Sequence, residues 1–229
     1  MSKTSSSEWQ DITLGDIGHF NTSSVDKLVQ ENEQPVNLVN YMDVYNNRQI
    51  DTSLDLMSVT ATRAECEKYQ VKVGDILFTP SSETPDDIGH SAVVSEELSN
   101  TLHSYHTVRL RPIASVDLDI CFSGYMANST DVLRYFSKYA SGSTRYTLSL
   151  PDFAAAHIKL PPLPQQRRIA EILSTVDEII EQTESLIEKT KKIKAGLMHD
   201  LFTRGVTPNG KLRPPREEAP HLYKQSPLG

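Results

Sequence analysis

Between residues 9 and 164 the apolar positions come in short runs. LVNYMDVY, GDILFT, SAVVS, HTVRLRPI, DICFSGYM and AAHIKLPPL are rich in β-branched or aromatic residues and bounded by Gly, Pro, Asn, Asp and Ser. That is the pattern of strands separated by turns. Residues 131–139 (DVLRYFSKY) break it, with Val132, Leu133 and Phe136 spaced to share one side of a helix. SSETPDDIGH and SGST are loops by composition. The reading is one mixed α/β domain over residues 1–164.

After Pro164 the rhythm changes, and no proline recurs until Pro208. Pro161 and Pro162 hold the chain extended, so a helix begins near Gln165 at a fixed angle. With Ile169 at heptad position a and Ile172 at d, the a series continues Val176, Thr183, Thr190, Leu197 and the d series Ile179, Leu186, Ile193, Asp200. Leu173, Ile180 and Ile187 widen the stripe. Every a and d site but Asp200 is apolar or Thr, the pattern of a coiled coil. Residues 165–202 would span about 57 Å as a helix, too long to bury the stripe against a domain of this size. No second heptad run exists in the sequence, so the expected partner is another copy. The fold class expected is therefore α+β: a mixed α/β domain (1–164), a long dimerising helix (165–204) and an extended tail (205–229).

Charge gives that pairing a direction. The helix is acidic first (Glu171, Asp177, Glu178, Glu181, Glu184, Glu188) and basic later (Lys189, Lys191, Lys192, Lys194). Parallel copies would set like against like, whereas antiparallel copies set acidic halves against basic ones. The net charge of −7 is uneven: residues 1–164 hold 12 Lys+Arg against 21 Asp+Glu, and residues 165–204 hold seven of each. An acidic domain argues against nonspecific nucleic-acid binding, which rests on basic surface.

Catalytic patterns are missing. The sequence has no G-x-x-x-x-G-K-[ST] phosphate loop, G-x-G-x-x-G, H-E-x-x-H or G-x-S-x-G. Nor does it carry the Asn-Pro-Pro-aromatic signature of amino-group DNA methyltransferases. His103 and His106 form an H-x-x-H without a third ligand at suitable spacing, and Asp86 and Asp87 read as turn formers. Cys66 and Cys121 are too few for a zinc framework and fit a reducing cytosol as buried thiols. The opening MSKTSSSEWQ lacks the apolar core of a signal peptide, and no apolar run could span a membrane. A cytoplasmic binder is expected rather than an enzyme.

LPPLPQQRRIAEILSTVDEIIEQTESLIEKTKKIKAGLMHDLFTRG closely resembles the conserved helical region of specificity subunits of type I restriction–modification systems. EWQDITLGDI resembles the opening of a target recognition domain. YMDVYNN, VKVGDILFTPSS and IGHSAVV resemble its inner strands, and SGSTRYTLSLPDFAAAHIKLPPL its closing run. Members of that family usually carry two recognition domains and two long helices packed antiparallel within one chain. Here there is one of each, and NGKLRPPREEAPHLYKQSPLG resembles the connector to a second domain. The expectation is a half-length subunit that dimerises through its helix.

The resemblance implies a subunit without catalysis or cofactor of its own. It would read half of a bipartite site in double-stranded DNA and dock methyltransferase subunits that use S-adenosylmethionine. ATP- and Mg-dependent restriction subunits would join the complex. Base reading needs forked or small polar side chains on loops, with phosphate donors to set register. The candidates are Lys138, Ser141, Ser143, Thr144, Arg145 and Tyr146, then Ser81, Ser82, Thr84 and His90, with Arg63 and Lys68 for phosphate. The dimer seam would comprise Ile169, Ile172, Leu173, Val176, Ile179, Ile180, Thr183, Leu186, Ile187, Thr190, Ile193 and Leu197. A second reading is a truncated subunit that sequesters methyltransferase or full-length specificity subunits without reading DNA.

Overall fold

The computed structural model describes residues 8–224. The chain opens with β1 (Gln10–Thr13), a one-turn helix α1 (Leu14–Ile17) and β2 (Gly18–Thr22). It continues through β3 (Gln34–Val39), α2 (Tyr41–Asn46), β4 (Gln49–Ile50), β5 (Met57–Ala61) and α3 (Arg63–Tyr69). Five strands follow: β6 (Ile76–Phe78), β7 (Ser81–Ser82), β8 (Ser91–Val94), β9 (Thr101–His103) and β10 (Val108–Pro112). Helices α4 (Ile120–Ala127) and α5 (Thr130–Tyr139) precede β11 (Tyr146–Thr147), α6 (Leu150–Ala154), β12 (His157–Leu160) and α7 (Leu163–Arg204). This is a mixed α/β domain followed by a long helix.

One local device starts several of the short helices. Thr13, Asn40, Thr62 and Ser149 each precede a carboxylate three residues on, and that carboxylate folds back onto the cap backbone N–H. Asp16 accepts from Thr13 at 2.8 Å, Asp43 from Asn40 at 2.7 Å, Glu65 from Thr62 at 3.1 Å and Asp152 from Ser149 at 3.0 Å. Each capping box satisfies a donor that a helix start leaves open. The hydrogen bonds from Thr13 hold the Asp16 carboxyl below its usual range.

Two segments expected as strands are helices. YMDVY forms most of α2, because Asp43 closes a capping box on Asn40. DICFSGYM forms α4, started by Asp119, whose carboxylate accepts from the Phe122 N–H at 3.0 Å. Phe122, Gly124, Met126 and Ala127 are all buried there, so the run shows no amphipathic rhythm to separate helix from buried strand.

The central sheet runs β2-β10-β6-β8-β4, antiparallel except for β4 with β8. On one face Ile76, Phe78, Val93, Val108 and Leu110 pack with Phe122, Met126, Val132, Phe136 and Phe153. The Phe136 and Phe153 rings lie 5.0 Å apart and Phe78 and Phe153 5.3 Å apart. Truncating one such buried phenylalanine costs about 3–5 kcal/mol. On the other face Val39, Val44, Ile50, Leu77, Ala92 and Val94 form a second core. A third surrounds the sheet β5-β3-β9 with Leu38, Val59, Tyr69 and Leu102. The GD of VKVGDI is a turn whose Asp75 carboxylate is buried: Gly74 has φ +88°, and Asp75 takes both Arg111 Nε at 2.7 Å and Nη2 at 2.6 Å. β1 pairs antiparallel with β12, from Gln10↔Leu160 to Thr13↔His157, tying the start of the domain to its close.

The chain divides into two units, Met1–Glu171 and Ile172–Gly229. Helix α7 starts at Leu163, earlier than Gln165, with Pro164 tolerated in its first turn. Gln166 is buried and donates to Asp117 O at 2.9 Å and Pro161 O at 2.8 Å, while its carbonyl accepts from the Asp119 N–H at 2.8 Å. Ala170 is buried and Ile169 packs on the main core, so Ile169 belongs to the domain rather than to a free seam. In the second unit, Gly205 (φ +70°) ends α7, and a turn over residues 205–213 closes through Thr207 N–H to Lys211 O at 2.7 Å. Cys66 is half-buried and Cys121 exposed, so the expectation of two buried thiols fails at α4.

Candidate nucleic-acid interface

Two loops far apart in sequence carry most of the candidate reading residues, and β7 and β11 join them. Ser82 pairs with Tyr146 and Ser81 with Thr147, antiparallel. Ser141 and Thr147 exchange backbone hydrogen bonds of 3.0 and 2.9 Å, closing a tight turn between them. Gly142 there has φ +149°, and a Cβ on it would lie 2.0 Å from the Arg145 carbonyl oxygen, so only glycine makes the turn. Ser141, Ser143, Thr144 and Arg145 are exposed on it. Arg145 Nε donates to Ser81 Oγ at 3.1 Å, and Ser137 Oγ to Asp86 at 2.8 Å. The two loops form one surface.

Helix α2 supplies residues that the sequence reading passed over. Tyr41 and Tyr45, one turn apart, stack with ring centroids 6.0 Å apart. Tyr41 donates to Ser81 O at 2.9 Å, and Tyr45 to both carboxylate oxygens of Asp87 at 3.1 Å. His90 Nε2 meets the same carboxylate at 2.8 Å, and its ring lies edge-on to Tyr45 at 4.9 Å. Burial raises the Tyr41 hydroxyl, and the hydrogen bond to Asp87 raises that of Tyr45, so both stay protonated donors. The signal that could have found them is the N-x-x-D of the capping box, which puts Tyr41 and Tyr45 on one helix face. Asp87, expected only as a turn former, is the centre of this network.

The other candidates divide. Ser82 is buried and its hydroxyl accepts from the Thr84 N–H at 3.3 Å, so it shapes the turn and does not face solvent. Tyr146 is half-buried against the main core. Lys138 is exposed with its ammonium 5.7 Å from the Tyr139 ring, and Thr84 is exposed. Arg63 and Lys68 sit on α3, outside the hydrogen bonds that join the two loops. Arg63 pairs with Glu67 at 3.1 Å and Lys68 lies over Tyr69 at 5.0 Å. His106 titrates below its ordinary range because of burial, then the charges of Lys27 and Arg145.

His103 of the H-x-x-H is buried, with Nδ1 3.2 Å from Thr107 Oγ1 and its ring edge-on to Tyr69 at 5.9 Å. Among the described residues no cluster of three His, Cys, Asp or Glu could hold a metal ion, and no helix is long and apolar enough to cross a membrane.

Along α7 the heptad stripe from Ile172 to Leu197 is exposed, with Ile179 at 57% and Leu186 at 62% of full exposure. Thr183 and Thr190 turn their hydroxyls onto the carbonyls of Ile179 and Leu186 at 2.7 and 2.8 Å. Both are satisfied within the helix and add no polar demand to the stripe.

A 31% identical relative over 144 residues is a Methanocaldococcus jannaschii chain described as the MjaX specificity subunit of a type I restriction enzyme; the match covers 61% of this chain and 32% of that one. The type I restriction enzyme MjaVIII specificity subunit of the same organism is 46% identical over 54 residues, 24% of this chain and 13% of that one. This chain therefore spans about a third or less of those relatives. Among solved structures, the S subunit of a type I restriction–modification system from M. genitalium matches with TM-score 0.54 and 16% identity, over 88% of this chain and 48% of that one. The HsdS subunit from Thermoanaerobacter tengcongensis matches with TM-score 0.53 and 15% identity, over 78% and 40%. These two establish the shared fold. The family model for the type I restriction modification DNA specificity domain matches residues 6–192, most of the domain and of α7, and the chain belongs to that family.

Proposed function

We propose that this chain is a non-catalytic DNA-specificity component of a type I restriction–modification system. Its domain reads one half of a bipartite double-stranded site through the surface built on β7, β11 and α2. The observation that carries this reading is the pairing of two polar loops by Ser81, Ser82, Tyr146 and Thr147 within a domain of the specificity family. Arg145, Ser141, Ser143 and Thr144 supply exposed donors, and Lys138 a further cation. Helix α7 joins a second copy antiparallel along its exposed stripe, so that two identical domains read an inverted repeat. Methyltransferase subunits bring S-adenosylmethionine, restriction subunits bring ATP and Mg, and the complex works in the cytoplasm. The family membership, the exposed stripe and the acidic-to-basic order of α7 support this assembly.

The test is methylation mapping of a genome that carries this chain with its methyltransferase. An inverted-repeat motif with a fixed unread spacer is expected. A second reading has one observation in its favour, the excess of acidic residues in the domain. On that reading the chain titrates methyltransferase or full-length subunits, and footprints of the reconstituted complex would show no defined protected sequence.

A further inference from the structure

His90 is held from both its backbone and its ring. Its carbonyl accepts from the Thr79 N–H at 2.8 Å, and its Nε2 is 2.8 Å from Asp87 Oδ1. Asp87 is held in turn by the Tyr45 hydroxyl, at 3.1 Å to each carboxylate oxygen. Gly89, with φ +78°, brings the chain across Phe136 so closely that a Cβ there would lie 2.3 Å from the ring. No side chain fits at that step, so the backbone entering His90 is fixed. The other ring nitrogen, Nδ1, has no hydrogen-bond partner among the described residues. The ring lines a cleft of about 310 Å³ beside Tyr45, Asn46, Asn47 and Arg48.

This arrangement decides what Nδ1 can do. A carboxylate only accepts, so the neutral ring must place its proton on Nε2. Nδ1 is then a pure acceptor. In the major groove, a lone acceptor meets the exocyclic amines of adenine and cytosine, while guanine and thymine offer it only acceptors at those positions. Lys138 only donates, from a stem that swings freely, and the Ser143 and Thr144 hydroxyls do either, so none of them sets a fixed acceptor.

We propose that His90 is a specificity-determining residue that selects adenine or cytosine at one position of the half-site through Nδ1, with Asp87 and Tyr45 as positioning residues that fix its tautomer. The proposal rests on the DNA-reading role given above. Its test uses the chain reconstituted with its methyltransferase subunits and a duplex library randomised across the half-site, in slightly alkaline buffer. The wild-type complex should prefer an adenine or cytosine at one position by about tenfold, the worth of one well-placed hydrogen bond and the cost of an unpaired one. His90→Ala should abolish the preference there and leave the other positions unchanged. Asp87→Ala frees the tautomer, so it should weaken the same preference at the same position. The double variant should add nothing further. In ¹⁵N spectra, wild-type His90 should be the Nε2–H form, and Asp87→Ala should give a mixture. If neither variant alters any single position, or both alter all positions together, the proposal is overturned while the domain's reading role stands. A wild-type complex with no preferred motif removes the reading role, and this proposal with it.

Discussion

His103 packs edge-on against Tyr69 with no solvent exposure, and burial, reinforced by the nearby Arg109 and Arg111, pushes its imidazole down to about 3. Its Nε2 has no hydrogen-bond partner, which a neutral ring tolerates and an imidazolium would not. The pH consequence follows from which state takes the proton first. Unfolded, the ring protonates near the ordinary 6.5; folded, it stays neutral until about 3. Stability from this group is thus complete above the unfolded value, falls as pH drops below it, and stops falling below the folded value. Carboxylates titrate lower, so between pH 6.5 and about 5 the histidines dominate. Chemical denaturation across that window should show wild-type stability falling by up to about 1.4 kcal/mol per pH unit. His103→Asn should flatten the slope; identical slopes would mean that the proton finds a solvated site in the folded protein. The H-x-x-H lacks a third ligand in the sequence, and the packing of α3 over β9 shows one member to be a core residue.

Among the elements, α7 is the one whose pattern the chain spells out locally. Its heptads are continuous, its threonines return their hydroxyls to the helix, and its stripe is exposed. Ile179→Glu with Leu186→Glu places two charges per chain at the middle of the proposed antiparallel seam. Light scattering is expected to report dimers for the unmodified chain and monomers for this variant, with the helix content of the domain unchanged. A variant that stays dimeric would put the self-association elsewhere. The first turns of α7 behave differently, since Ile169 fits the heptad count yet packs into the domain, and Gln166 anchors the loop before α4. Periodicity cannot separate these uses, because a stripe facing a core and a stripe facing a partner have the same spacing. Helices α2 and α4 depart from their strand-like composition for a related reason: aromatic and β-branched residues favour strands, but a cap closed by Asp43 or Asp119 sets the backbone as a helix.

At the scale of the assembled molecule, the proposed pair makes α7 a ruler. Seven extra residues in heptad phase after Thr183 lengthen a helix by about 10.5 Å, close to three base pairs at about 3.4 Å each. Methylation mapping should then return the same two half-sites with an unread spacer longer by about three base pairs. An unchanged spacer would dismiss the ruler; changed half-sites would place reading residues on the helix. The sequence by itself determined the long helix, its exposed stripe and the specificity-family resemblance, because heptads, prolines and caps act over a few residues and leave their mark locally. Which loops make one surface was decided only in three dimensions. Ser81 and Thr147 meet through a β-ladder across more than sixty residues, and Tyr45, Asp87 and His90 through a helix packed beside a glycine-bent loop. Such contacts are set by sheet register and core packing, and no periodicity in the chain encodes them.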